Sequence, residues 1–410
     1  MAYDWPGVYV EEEKGLSLAI TSGATAVPVI AYDLGDQNKD KSKASNQELI
    51  SAPTRIDSWM AFMNLPNVQS AVENEAKDPK NPLTKHLVDY SLYVALKTYF
   101  DNGGGYCYVC PTNGKGDTTD ALIKTVPELD DVTLIVQAGV PKLADAVFTP
   151  GTGLCAEGKS RFAILDGPSL KLATDPSQSM TKDYPNSSYA AAYYPPLQAN
   201  WATYVTTDKG TGKDAQVVKD IPVSAAVAGA YCAVDRDRGV WKAPANVQLQ
   251  GGVVPKFVVS DAIQGIYNQY TKPLNIIRCF QTDVPLVWGA RTLAGDSEKE
   301  RWRYVPVRRL FGAAEKDIKR AMAFAVFEPN NQPTWEKVRA AIDAYLYGIW
   351  KAGGLMGTKP EEAYFVRLGL GVTMTQDDID EGKMIVQVGM APVFPAEFII
   401  LRFTQDMHTA

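Results

Sequence analysis

The chain has 410 residues, 46% hydrophobic and 21% charged, with glycine and proline scattered along it; this fits one large core or two ordinary ones and excludes a disordered polymer. A formal charge of −6 with no long basic run argues against a general nucleic-acid or anionic-membrane binder, because phosphate recognition needs a cationic footprint. Five cysteines, an odd count in a chain too large to need staples, read as reduced thiols of a protein made in a cytoplasm.

The start, MAYDWPGVYVEEEKG, has no basic segment ahead of an apolar one, so no secretory leader is expected. Residues 8–12 alternate as a short strand, Leu16, Leu18 and Ile20 alternate again, and TSGATAVPVIAYD reads as a buried strand. Residues 36–51 and 70–85 are polar and read as exposed loops around a short helix at DSWMAFMN. HLVDYSLYVALKTYF places Leu87, Tyr90, Val94, Leu96 and Tyr99 on one side of a single helix, NGGG stops it, and YCYVC begins a strand. A short helix and a strand over 132–136 repeat the idea, and RFAILDGP supplies another strand, so the elements alternate as in a mixed α/β layer. Residues 167–212 are turn-rich, and no regular structure is expected through them. The apolar run 221–234 falls short of the roughly 20 residues that cross a bilayer.

Beyond Asn275, NIIRCFQ, VPLVWGARTL and RYVPVRRL read as successive strands followed by two amphipathic helices. In the first helix Phe311, Ile318 and Met322 share a face, and Glu315 and Lys319 stand at i,i+4. The second starts after FEPNNQP with Thr334 as expected N-cap, carries Trp335, Val338, Ile342, Tyr345, Leu346 and Ile349 as a core stripe, and stops at AGGL.

Catalytic motifs are weak. Cys107 and Cys110 form a CxxC, but on a strand residues three apart face opposite ways, and no second CxxC or suitable histidine set completes a zinc site. NGGGYC and TNGKGDTTD look like phosphate loops, yet no GxxxxGK[ST] occurs, and the glycine run lies after a helix, the reverse of the order that aims a helix N-terminus at phosphate. No GxSxG occurs, only two histidines are present, and TQDDIDEG and VDRDRG lack the alternating ligands of a calcium loop. No catalytic residue, metal or cofactor is expected.

The carboxyl end carries the informative pattern. Strands are expected over 384–390 and 398–403, joined by APVFPA, whose prolines favour an extended path over a tight hairpin. Phe398, Ile399, Ile400, Leu401 and Phe403 are apolar on both faces, so the last strand needs a cover, and addition to another subunit would supply one. The extended amino end could be exchanged likewise.

PGVYVEE, NGGGYCYV, RFAILDGP, VAGAYCAVDRDRGVWKAPAN, RYVPVRRLF, AVFEPNNQPTWEKVR and VGMAPVFPAEFIILRF, in this order and spacing, make the chain resemble contractile tail sheath proteins of phages, R-type bacteriocins and extracellular contractile injection systems. The resemblance covers nearly the whole chain, without the large insertion domains of some phage members. It implies a mixed α/β fold in four parts: an exchange arm at 1–20, an outer domain at 21–270, an inner C-terminal domain at 271–392 and a second arm at 393–410. It implies a helical stack of six-fold rings around an inner tube, contracting to drive that tube through an envelope, with baseplate and terminator or cap proteins as further partners. Neither nucleic acid nor direct membrane insertion belongs to that picture. The subunit would be made in a bacterial cytoplasm and end in a phage tail or a released tail-like particle. Donated strands would be Val8, Tyr9 and Val10 and Phe398 through Leu401. Ile385, Val386, Gln387 and Val388 would belong to the receiving sheet, and Lys337, Arg339 and Lys351 would face an acidic tube. A static shell protein and, further off, a nucleotide-using α/β enzyme are the alternatives.

Overall fold

The computed structural model describes residues 20–34, 45–81, 85–112, 119–140, 143–148, 153–180, 184–207, 211–280, 284–294 and 299–400. The expected strand at 8–12 and Leu401 lie outside them. The chain divides into two compact units, residues 23–316 with 392–410, and residues 1–22 with 317–391.

A nine-stranded sheet centres the larger unit, built from β1 (Pro28–Asp33), β2 (Thr54–Ile56), β3 (Cys107–Thr112), β4 (Leu134–Val136), β5 (Phe162–Asp166), β6 (Ala190–Tyr194), β10 (Val247–Gln248), β12 (Leu274–Arg278) and β13 (Leu286–Trp288). The intervening strands form two small antiparallel sheets, β7 (Leu197–Ala199) with β11 (Val253–Pro255) and β8 (Thr203–Thr207) with β9 (Asp214–Val218). The order across the large sheet is β10-β13-β12-β6-β5-β4-β1-β3-β2. The run from β12 to β3 is parallel, with antiparallel strands at the ends.

Parallel strands covered on both faces read as unbroken apolar runs, and alternate residues here feed two cores. Ile30, Cys107, Leu134, Ile164 and Tyr193 enter one, and Ala31, Cys110, Ile135, Leu165 and Tyr194 the other. The CxxC thiols therefore lie on opposite faces, as the strand spacing requires. The first core is capped by the Ser91–Asp101 and Val223–Arg238 helices, the latter buried at every position from 223 to 232. That explains its lack of a polar face.

Several expectations are corrected. Residues 70–85 are no loop at their start, since Pro66–Lys77 is a helix with proline in its first turn, and Ser45, Asn46, Leu49 and Ile50 at the end of the first polar stretch are buried. Helix 87–99 is broken at Tyr90, which is extended and separates a 3-10 turn at Leu87–Asp89 from the helix proper. The turn-rich region contains β6, a fully buried central strand whose run of three alanines and two tyrosines carries no alternation signal. RYVPVRRL is helical: Val305–Met322 starts there, with Pro306 tolerated in the first turn. Arg308 and Arg309 are buried beside Val305, Val307 and Leu310, which hid the helical period. Glu315 pairs with Arg308 at 2.9 Å, not with Lys319. The second helix, Gln332–Lys351, is capped by Asn331, whose side chain accepts from the Thr334 amide, so Thr334 is not the cap. β12 and β13, expected in a C-terminal domain from residue 271, lie in the large sheet, and the units divide between Lys316 and Asp317.

The smaller unit packs the Gln332–Lys351 stripe, with Trp335, Val338, Ile342, Tyr345, Leu346 and Ile349 all buried, against β14 (Tyr364–Arg367), which pairs antiparallel with β15 (Gln387–Met390). Asp317 is buried there and accepts from Tyr345 and Arg320 at 2.9 and 3.0 Å. Arg320 also donates to the Thr21 carbonyl, tying down the chain where it leaves the amino-terminal segment.

Candidate functional site

The β14–β15 ladder runs from Tyr364 opposite Met390 to Arg367 opposite Gln387, and among the described residues no third strand joins it. Gly389 sits beneath the Phe365 ring, where a Cβ would come within 2.2 Å of the ring edge. Of the four expected receiving residues, Gln387 and Val388 lie in β15, whereas Ile385 and Val386 precede it and are not in a strand. Ile385 is exposed and Val386 half-buried, so the alternation of a strand edge continues upstream with no partner among the described residues.

The connector after β15 makes no hairpin. Residues 393–400 have no regular structure, and Phe398, Ile399 and Ile400 are 72, 81 and 78% exposed, so the expected strand has no partner among the described residues of its own chain. Immediately before them, in the larger unit, Glu397 is clasped. Arg291 Nε donates to Oε1 at 2.8 Å and Nη2 to Oε2 at 2.6 Å, a bidentate geometry, and Tyr304 Oη donates to Oε2 at 3.0 Å. Arg291 Nη1 donates to the Asn268 carbonyl, and the Tyr304 ring meets Phe394 edge-on at 6.3 Å. Burial first, and the Glu397 carboxylate second, push the Tyr304 phenol above its usual value, so it remains a donor.

The receiving groups are set in place beforehand. Arg291 and Tyr304 face each other across an antiparallel bridge, and Asn275 in β12 holds the Arg291 backbone by two hydrogen bonds of 2.8 Å. A side chain at Gly289 would stand 2.7 Å from Asn275 Oδ1. Glycine is therefore required where the two backbones approach. Sequence reasoning missed this cluster, because Arg291 and Glu397 are 106 residues apart; the one local hint was a carboxylate heading an apolar run.

Arg309, also missed, anchors the Val305–Met322 helix within the larger unit. Its guanidinium forms a second bidentate pair, this one buried on both sides, with Asp235 at 3.0 and 2.6 Å, and lies 4.7 Å from the Tyr231 ring centroid. Burial opposes that charge, but the Asp235 carboxylate, with Tyr231 and Cys232 adding less, holds Arg309 above its usual value.

On Gln332–Lys351, Lys337 and Lys351 are exposed on one side, roughly 21 Å apart at helical rise, with exposed Ala340, Ala344 and Gly348 between them. Among the described residues neither lysine forms an ion pair. Arg339 does not join them: it is half-buried, paired with Glu336 at 3.0 Å, and donates to the Leu368 carbonyl at 2.7 Å.

The place where an α/β enzyme would bind an anion is filled from within. At the carboxyl end of β5, Asp166 accepts from the Ser224 amide and hydroxyl at 2.8 and 2.9 Å and from the Gly139 amide at 2.8 Å, taking up the N-terminus of Val223–Arg238. Burial raises its carboxyl despite those bonds. Among the described residues no group of three His, Cys, Asp or Glu is placed to hold a metal, and no helix is long and apolar enough to cross a membrane.

Residues 297–406 match the phage tail sheath C-terminal domain family. No curated protein matches the chain. Among solved structures, the PVC sheath complex of an extracellular contractile injection system, in its contracted state, is 46% identical over 99% of both chains with a TM-score of 0.75. The contracted helical sheath of the anti-feeding prophage is 37% identical over 99% of this chain and 100% of that one, TM-score 0.71. A chain of that prophage's baseplate structure is 38% identical over the same shares, TM-score 0.69. Full-length likeness at these identities, on a mixed α/β fold, leaves one conclusion: the chain belongs to the contractile tail sheath proteins, as a sheath subunit of a phage tail-like contractile injection system.

Proposed function

We propose that copies of this chain polymerise as a helical stack of six-fold rings around an inner tube, bounded by baseplate and terminator or cap proteins, and shorten to drive that tube through a target envelope. One observation carries the assembly mode: a two-stranded sheet with no further strand from the described residues, in a chain whose own end presents Phe398, Ile399 and Ile400 to solvent. An open strand edge leaves backbone groups unpaired and an exposed apolar strand invites pairing, so donation of the tip to a neighbour's β14–β15 edge satisfies both. Leu401 extends the donated strand, Val8, Tyr9 and Val10 form the other, and the receiving edge runs through Ile385, Val386, Gln387 and Val388. In this reading Lys337 and Lys351 meet the tube.

Heterologous contacts that do not close produce helical order, and extended arms keep the backbone mesh intact while rigid bodies rotate. The extended lattice is a kinetically trapped state above the contracted one, so no nucleotide is consumed. The subunit works mechanically and is not an enzyme, a reading supported by its sheath relatives and by the self-capped helix at Asp166. It is made in a bacterial cytoplasm and built into a tail-like particle of the extracellular kind that its relatives form.

Electron microscopy of the purified chain tests this. The intact chain is expected to give striated tubes of contracted width, and a chain cut after Glu397 to remain monomeric. A resolved polymer in which each tail folds on its own body, with copies meeting through globular faces only, would overturn the strand-exchange reading.

A further inference from the structure

We infer that Glu397 is a positioning residue that divides the C-terminal arm into a root bound to its own subunit and a tip available to the next. The inference rests on the strand-donation reading and adds to it where the donated strand begins and what sets its register. Three donors converge on this one carboxylate, through the bidentate Arg291 and the Tyr304 hydroxyl, and Phe394 packs edge-on to Tyr304. Side-chain exposure falls to 10% for Arg291 and 22% for Glu397, while the next residue, Phe398, is 72% exposed. Glu397 is thus the last residue held by side-chain contacts, and the exposed apolar run Phe398–Ile400 begins at the next position.

Such a boundary matters for two physical reasons. Backbone pairing has a period of two, so a slip of one residue in the donated strand turns its buried face outward; a fixed root removes that ambiguity. A tip tethered at Glu397 also meets its acceptor at a higher effective concentration than one swinging from β15, because the free length of chain is shorter. The clasp is a half-buried, bidentate ion pair whose receiving side is preset by Asn275, so it persists while the tip is exchanged. The occupant of the tip is a second copy of this chain, at its β14–β15 edge.

The test uses the full-length chain with Cys279→Ser and a nitroxide on Ala396→Cys, an exposed position beside the clasp. In the parent the label is expected to be immobilised. Glu397→Gln and Glu397→Ala are expected to free it, leave the monomer's cooperative melt in place, and lower the yield of sedimentable sheath by about tenfold, the size of one charge-assisted hydrogen bond. Arg291→Lys, which keeps the charge and loses the fork, should fall between. Truncation after Glu397 separates the two ideas. If truncation stops assembly while Glu397→Ala assembles at the parent's yield, or if the label is equally mobile in parent and Glu397→Ala, the positioning role is overturned and strand donation stands. If the truncated chain assembles like the parent, strand donation itself falls, and this inference with it.

Discussion

At Cys110 burial pushes the thiol up to about 11, and it pushes Cys107, Cys155 and Cys232 up as well, so at neutral pH none of the four presents a thiolate. Native chain at pH 8 is therefore expected to react with a thiol reagent at half-buried Cys279 well before the others. Cys110 should gain reactivity as the pH climbs toward 11, and denaturant should expose all five. Mass spectrometry of labelled peptides reads this directly, and early modification of both Cys107 and Cys110 would show that the strand geometry is wrong. The same shift has a stability sign. An unfolded thiol ionises near about 8.5, so the contribution of folded Cys110 is whole below that pH and is lost as pH rises through about 11. At this scale the CxxC was legible, because strand alternation alone assigns its thiols to opposite faces. The clasp at Glu397 was not legible, because nothing in FPAEFII names a partner more than a hundred residues away.

Between elements, the Val223–Arg238 helix crosses Ser91–Asp101 at close backbone approach. A Cβ at Gly229 would stand 2.3 Å from the Tyr99 carbonyl oxygen and 2.8 Å from Asn102 Cβ. Alanine is the better helix former by about 1 kcal/mol, yet backbone cannot yield as a side chain can, so Gly229→Ala is expected to destabilise by about 1–3 kcal/mol on balance. Urea unfolding of the monomer measures it, and a neutral or stabilising change would contradict the packing described. Helices with a clean stripe, such as Gln332–Lys351, were readable from periodicity. Val305–Met322 was misread at its start because Arg308 and Arg309 are buried by pairing with Glu315 and Asp235, and charges at core positions erase the pattern that periodicity relies on. β6 escaped for the opposite reason, since a strand buried on both faces shows no alternation.

For the assembled particle, the exposed Lys337 and Lys351 set a prediction of their own. Reversing both to glutamate is expected to leave sheath formation intact and to lower the loading of an acidic inner tube, more at low salt than at high. Each exposed contact is worth about 0–1 kcal/mol, a size suited to a hold that must release on firing and that acts through many copies. Arg339→Glu should instead lower monomer stability, because that residue is engaged with Glu336 and Leu368. Unchanged loading of purified particles by the double lysine variant would remove the tube-facing assignment.

The sequence by itself determined what depends on neighbours along the chain: apolar runs that become strands covered on both faces, the stripe of Gln332–Lys351, the glycine stop after Ser91–Asp101, and a proline-broken connector after β15 that does not fold back as a hairpin. Only the tertiary structure decided what depends on residues distant in sequence. It put the unit boundary between Lys316 and Asp317, kept β12 and β13 in the large sheet, and chose the partners of Arg309 and Arg291. The reason is physical: hydrophobic burial is short-ranged in sequence pattern, whereas an ion pair is selected by how two elements meet in space, and local composition carries no record of that meeting.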